Sequence, residues 1–370
     1  MLHKRRANKY FFNENPTEKE ARNKIAFFLH LPEINSTQNK QVTSMIEIIT
    51  TLASIAAFFA ASYVITYMRR CSWKWKSKEM VEKVLQKRIS PKVKVHDNHG
   101  LTIQDSINAL PLAIQRYLHK ALFLIDDEDR GSNYMMHTPI AIIKSVKLKQ
   151  EGTILVNDQW LPFKATQTVF GSPAAPGLVW DCVAKMHPSL TILKNLNMFA
   201  RDAYVDKRGQ FDVNAMGLMP IVSMKGTANV NSGECMRWLA EIPLYPTAFL
   251  PSFGARVTWV QDSQQIEGPW SQHHGAFARG RLADGDEGIT AEVQFCFGED
   301  DLVSSVRAHR TQEIVDGIIT TMPWEGLISE YKTIDGMLVP IKWEAGYWGE
   351  GKLQLYFKAV NHSLQYTYFD

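Results

Sequence analysis

Glu234, Arg237 and Glu241 stand at i, i+3 and i+7 within the segment Ser232 to Ile242. On a helix these positions share one face and set a guanidinium between two carboxylates. Such a trio has two uses. Its arginine can grip a carboxylate or phosphate head group in a planar fork, or the three can fasten the helix to its neighbours as an ion-pair network. A looser set, Asp181 after Trp180, Asp202, Arg307, Glu330 and Glu344, is spread over segments of strand-like alternation. Two of these carboxylates brought close would suit acid–base chemistry such as glycoside hydrolysis. The eight residues are the candidate ligand-binding set, and no catalytic residue is assigned. His273 and His274 are adjacent, which sends their rings to opposite faces of a strand. Neither HExxH nor zinc-type cysteine spacing occurs, so no metal and no cofactor is expected. There is no G-x-S-x-G elbow, phosphate-cradling glycine loop or dinucleotide fingerprint, and the sequence leans away from an enzyme without settling it.

The elements that must position these residues are mainly strands. From Ile140 the apolar period is two, with candidate strands at Ile142–Gln150, Leu161–Phe170, Gly177–Met186, Leu190–Tyr204, Gln210–Met216, Ala255–Gln261, His274–Leu282, Ile289–Phe297, Val303–Arg310, Trp324–Thr333, Met337–Tyr347 and Leu353–Asn361. Turn signals at Glu151-Gly152, Lys207-Arg208-Gly209, Asp284-Gly285 and Asp335-Gly336 separate them. Many short strands joined by hairpin turns predict a mainly β, β-rich α+β domain: an antiparallel sheet, barrel or half-barrel with a few helices. One helix interrupts the strands at Ser232 to Ile242. Another runs from Ile103 to Leu124 with a break at Pro111, and an acidic turn at Asp126 to Asp129 follows it.

One transmembrane helix is expected ahead of this domain. Ile48 to Met68 carries no charged residue and no proline, and roughly 20 apolar residues suffice to cross a bilayer as a helix. The expected organisation is a flexible polar tail (1–45), the span (46–68), a basic juxtamembrane segment and linker (69–100) and a β-rich domain (101–370). Arg69, Arg70, Lys74 and Lys76 follow the span, interleaved with Trp73 and Trp75. That mixture suits a headgroup layer. The lysine and arginine bias places the C-terminal domain on the cytoplasmic side of a single-pass protein. Met80, Val81, Val84, Leu85 and Ile89 form an amphipathic stripe that suits either the membrane surface or a face of the domain, the membrane being favoured. The net charge of +3 hides this basic cluster, and the rest of the chain is near neutral, which argues against nucleic acid as a partner. The four cysteines are too scattered for a disulfide framework, and Cys71, at the membrane edge, is a candidate for lipidation.

An ordered set of unusual motifs points further. Trp160-Leu161-Pro162-Phe163-Lys164-Ala165-Thr166-Gln167 is followed by Pro176-Gly177-Leu178-Val179-Trp180-Asp181, Arg237-Trp238-Leu239-Ala240-Glu241, Tyr245-Pro246-Thr247-Ala248-Phe249-Leu250-Pro251-Ser252 and Pro323-Trp324 with Gly326. Over about residues 108–360 this resembles an uncharacterised, largely bacterial family of domains of unknown function. Its motifs are W-x-P-F-x-A-x-Q, P-G-F-V-W-D, R-Y-L-A-E, Y-P-T-A-L-L-P-S and P-W-x-G. Trp238 and Leu178 depart from it, where the family usually has Tyr and Phe. The resemblance implies the domain boundaries and no activity. The strand pattern also resembles, at the level of fold alone, lipoprotein-carrier half-barrels whose concave face holds acyl chains. The expected function is therefore a β-rich domain at a membrane surface that binds a lipid or other amphipathic small molecule, with the lipid bilayer as a partner. A membrane-bound hydrolase and a scaffold without a small ligand are the alternatives.

Overall fold

The computed structural model describes residues 36–86, 103–122, 141–186, 197–217, 219–251, 256–264, 266–270, 275–283, 289–314 and 318–369. The expected acidic turn, His273-His274, residues 190–196 of the fourth expected strand and the Asp284-Gly285 turn lie outside them. The chain divides into two compact units, Met1–Ile65 and Thr66–Asp370.

Within the first unit, the described residues belong to helix α1, Ser36–Leu85. Its apolar side chains, Phe58, Phe59 and Tyr63 among them, are exposed. Thr50, Thr51 and Ser54 donate their hydroxyls to carbonyls one turn back, which satisfies these polar groups within the helix. This helix is long and apolar enough to cross a membrane. It starts at Ser36, inside the segment expected as a polar tail, and continues without a break through the basic flank.

The second unit is built on one open antiparallel sheet of 13 strands in the order β6-β5-β4-β3-β2-β1-β13-β12-β11-β10-β9-β8-β7. The strands are β1 Ile143–Val156, β2 Gln159–Phe170, β3 Gly177–Lys185, β4 Asn197–Val205, β5 Arg208–Ala215, β6 Met219–Lys225, β7 Val257–Asp262, β8 Phe277–Ala283, β9 Thr290–Phe297, β10 Val303–Ile314, β11 Ile318–Ile334, β12 Met337–Gly349 and β13 Lys352–Tyr368. Two meanders, β1 to β6 and β7 to β13, are joined where β1 pairs with β13. The sheet keeps two free edges, β6 and β7, and so is not a closed barrel.

Two local differences from the sequence expectation have physical causes. Glu151-Gly152 is no turn: β1 runs straight through it and turns at Asn157-Asp158, whose φ values of 47° and 60° are left-handed. Gly152 is there because β13 passes so close that a Cβ would lie 1.9 Å from the Lys358 carbonyl oxygen. The strand β6, which carries Pro220, is not among the expected strands. At a sheet edge a proline costs no ladder bond.

Helices α2 (Ile103–Asn108), α3 (Leu112–Leu122) and α4 (Ala228–Ala240) complete the unit. The N-cap of α4 is Thr227, whose Oγ1 accepts from Val230 N, not Ser232. α4 packs on β3 to β6 from one side and on β8 to β10 from the other, so the sheet curls around it. The main core lies between this curled sheet and α2 to α4, with Tyr117, Trp238, Tyr245, Phe249 and Phe295 fully buried. The thiols of Cys182, Cys235 and Cys296 are buried and that of Cys71 is exposed.

The C-terminal half of α1 packs on the outer, convex face of β2 to β4, a correction to the membrane-lying helix expected from the sequence. Met80, Val81 and Val84 join Phe170, Val179 and Ala203 in a small cluster. The reason is a polar clasp that alternation alone does not reveal. Arg201, 1% exposed, donates to the Trp73 carbonyl at 2.7 Å and to Ser77 Oγ at 2.6 and 3.0 Å. Its guanidinium also lies 4.0 Å from the Trp73 ring centroid. Asp181 accepts from Trp73 Nε1 at 3.0 Å and from Ser77 Oγ. Burial lowers the pKa of Arg201, and the Asp181 carboxylate at 3.8 Å opposes that shift.

Candidate functional site

Strand alternation and register sort the candidate residues onto two faces. Trp180 pairs with Asp202 and Asp181 with Arg201 across β3 and β4, so the neighbours Trp180 and Asp181 point to opposite sides. Trp180 and Asp202 face the concave side with α4; Asp181 faces α1. The other candidates do not converge. Arg307 pairs with Glu325 at 2.8 Å, and Trp348 Nε1 donates to the same carboxylate at 2.9 Å, both on the convex face. Glu344 meets Lys358 at 3.7 Å, and Glu330 meets Lys342 at 3.6 Å in a solvent-facing pair. The carboxylates are thus dispersed, and only Asp202 joins the helix trio.

Around that trio the concave face carries a buried polar layer. Arg237 donates Nε to Glu241 at 3.0 Å, Nη1 to Asp202 and Nη2 to Gln167 Oε1 at 3.4 Å. Gln167 Nε2 donates to the other Glu241 oxygen. From the opposite wing, Arg310 on β10 brings a guanidinium to 3.9 Å from Glu234. Its centre lies 6.0 Å from the Trp324 ring centroid. Among the described residues the Arg310 guanidinium makes no hydrogen bond.

Electrostatics follows from burial. Desolvation, then the neighbouring Asp202, pushes Glu234 up to about 8. The Asp202 carboxyl is also raised by burial, with Arg237 pulling the other way. Burial works against the charge of Arg237, but the carboxylates of Glu241, Asp202 and Glu234 outweigh it. Burial likewise opposes the charge of Arg310, whose pKa is nevertheless raised by Tyr347 and Tyr356 and then by Glu234 and Asp202.

The same face has hydrogen-bonding capacity left over. Asp202 Oδ1, Glu234 Oε2, Trp343 Nε1 and both amide atoms of Asn361 are buried without a partner among the described residues. Buried polar groups are seldom left unpaired, and each orphan asks for a cause.

Beside this layer lies a second apolar cluster: Leu161, Phe163, Trp180, Ala184, Met198 and Val213 are buried in it, and half-buried Ile154, Phe211, Val222 and Phe357 pack against them. All of these side chains come from strands, and Arg237 of α4 reaches over the Trp180 ring, its guanidinium 5.2 Å from the centroid. β3 and β13 are separated by β2 and β1, which on a flat sheet means roughly 14 Å. Yet the rings of Trp180 and Phe357 are 6.3 Å apart, with Phe163 stacked on Phe357 at 5.4 Å. The sheet is therefore tightly curled here. Trp324, Tyr347 and Tyr356 continue the aromatic wall toward Arg310, with Trp324 Nε1 donating to Tyr356 Oη at 3.0 Å and the two tyrosines stacked at 5.5 Å.

The expected trio thus lies together, joined by Asp202. Arg310, Gln167, Asn361 and Trp343 were missed. Arg310 had one signal: it is in phase with buried Val306 and Ala308 along β10, and a charge in step with core positions marks an inward guanidinium. Of the expected interface residues, Trp73 is engaged by the convex clasp, Arg70 lies 5.7 Å from the Phe199 ring centroid, and Arg69, Lys74, Trp75, Lys76 and Cys71 are exposed.

A family model described as a family of unknown function (DUF6920) matches residues 108–366. No curated protein matches the sequence. Among solved structures, a DUF1329 family protein from Desulfovibrio piger is similar at 11% identity, over 60% of this chain and 86% of that one, with a TM-score of 0.34. A LolA superfamily protein from Nitrosomonas europaea is similar at 8% identity, over 61% and 88%, with a TM-score of 0.31. At that overlap neither bears on substrate or activity.

Proposed function

Since the chain belongs to this family of unknown function, we propose a reading from its own geometry: a membrane-anchored module whose concave face binds a lipid or other amphipathic molecule. One observation carries it. On the concave face an apolar cluster with half-buried Ile154, Phe211, Val222 and Phe357 at its margin adjoins a polar layer that, among the described residues, has unspent hydrogen-bonding groups. An acyl or other apolar body suits the first part and a polar head the second. The apolar run of α1 serves as a single-pass anchor, and the Arg69 to Lys83 basic bias sets the domain on the cytoplasmic side. Dispersal of Asp181, Glu330 and Glu344 favours this reading over a hydrolase built on the carboxylate set.

The test uses the full chain, because α1 packs on the sheet. The protein is moved into phosphatidylcholine nanodiscs and analysed by native mass spectrometry with extraction of retained molecules. A defined amphipath at about one per chain, lost on Phe163→Arg, supports the proposal. Retention of lipids only in bulk proportion, unchanged by that substitution, refutes it.

A further inference from the structure

We infer that the ligand's head group is anionic, a carboxylate, phosphate or sulfonate type of group, and that it docks against Arg310 and Glu234 beside the apolar cluster of the concave face. This rests on the binding role proposed above and names the chemistry of its ligand.

The two arginines of the polar layer differ in what they have left to offer. Arg237 is committed: Asp202, Glu241 and Gln167 take up its fork. Arg310 comes from the far wing, keeps about a fifth of its side chain exposed and has Glu234 at 3.9 Å as its ion-pair partner. Its donors make no hydrogen bond among the described residues, and a guanidinium fork matches a planar or tetrahedral anion in two-point contact. Trp324, Tyr347 and Tyr356 flank it, so water around a bound head group would be scarce and the contact correspondingly stronger.

The acidic side of the layer does not oppose this as strongly as its three carboxylates suggest. Asp202 from β4 and Glu241 from α4 are held by Arg237. Glu234 faces Asp202, Arg237, Glu241 and Arg310, with Tyr347 and Tyr356 behind Arg310. Burial keeps it protonated at neutral pH. A protonated carboxyl has one O–H to donate, and Glu234 Oε2 is buried without a partner among the described residues. An anion between Arg310 and Glu234 would accept from both. With Glu234 protonated, Arg237 and Arg310 balance Asp202 and Glu241, so an anion meets no net negative charge in the layer. Below the range where Glu234 titrates the site presents two donors; above it, a donor and a repelling carboxylate.

Photolabelling of the full chain in phosphatidylcholine nanodiscs tests this. Three hexadecyl diazirine probes are compared: a sulfonate, an alcohol and a trimethylammonium. The sulfonate keeps its charge at every pH used. Labelling of β3 and β13 peptides about tenfold stronger with the sulfonate than with the alcohol is expected for a charge-assisted contact. Arg310→Gln should bring sulfonate labelling down to the level of the alcohol. The advantage should shrink between pH 6 and pH 9 in the native protein, and Glu234→Gln, which keeps a donor at every pH, should hold it constant. The pH series needs no variant and so stands even where a substitution disturbs folding. Equal labelling by sulfonate and alcohol, or preference for the ammonium, overturns the anionic head group while leaving amphipath binding in place. No labelling of the concave strands by any probe overturns both.

Discussion

At the scale of single residues, charge placement decides behaviour. Glu234 has an ordinary value of 4.5 and is pushed up to about 8 in the folded protein. The folded state therefore holds a proton that the unfolded chain releases, so stability falls as pH rises from about 4.5 to about 8. Asp202, also raised, acts in the same direction. Thermal unfolding of the nanodisc-embedded protein from pH 5 to pH 8 should show this decline, and Glu234→Gln should flatten it; an unchanged slope would remove Glu234 as its source. The face of the trio was legible in the sequence, because three residues at i, i+3 and i+7 can only share one side of a helix. Its partners were not. Gln167, Asp202 and Arg310 reach it from strands far apart in sequence, and no local pattern records which strands the curled sheet brings together.

At the scale of elements, the sequence showed most strands and the helix α4, since period-two alternation and turn residues act locally. It failed where tertiary contacts override a local signal. Gly152 read as a turn residue but serves a close approach of β1 and β13, and Gly152→Ala should therefore destabilise the domain by about 1–3 kcal/mol or more, measured by denaturant unfolding. The amphipathic end of α1 read as a membrane-lying helix, yet its apolar stripe and Trp73 meet the convex face through Arg201 and Asp181. Arg201→Ala strips that clasp of its buried cation and should cost about 3 kcal/mol. Hydrogen exchange should then quicken across Trp73 to Leu85 while α4 stays protected. Uniform quickening over both helices would show that the clasp is not a separable unit.

At the scale of the whole molecule, the two meanders share one seam, the β1–β13 ladder. Its amides sit mid-sheet, far from the β6 and β7 edges. Hydrogen exchange should be slowest along this seam and fastest at the edges, and slower exchange in β7 than in β1 would contradict the topology. The seam also sets a timetable for synthesis. Once β1 has left the ribosome, one side of it has no partner until β13 arrives roughly 200 residues later. At about 5–20 residues per second that is a wait of ~10–40 s. During it, a row of unsatisfied amides and carbonyls on β1 is open to strands of other nascent chains. Messenger-level pauses within β7 to β12 would lengthen that exposure, and yield of the native protein should fall with them more steeply than for pauses placed before β1.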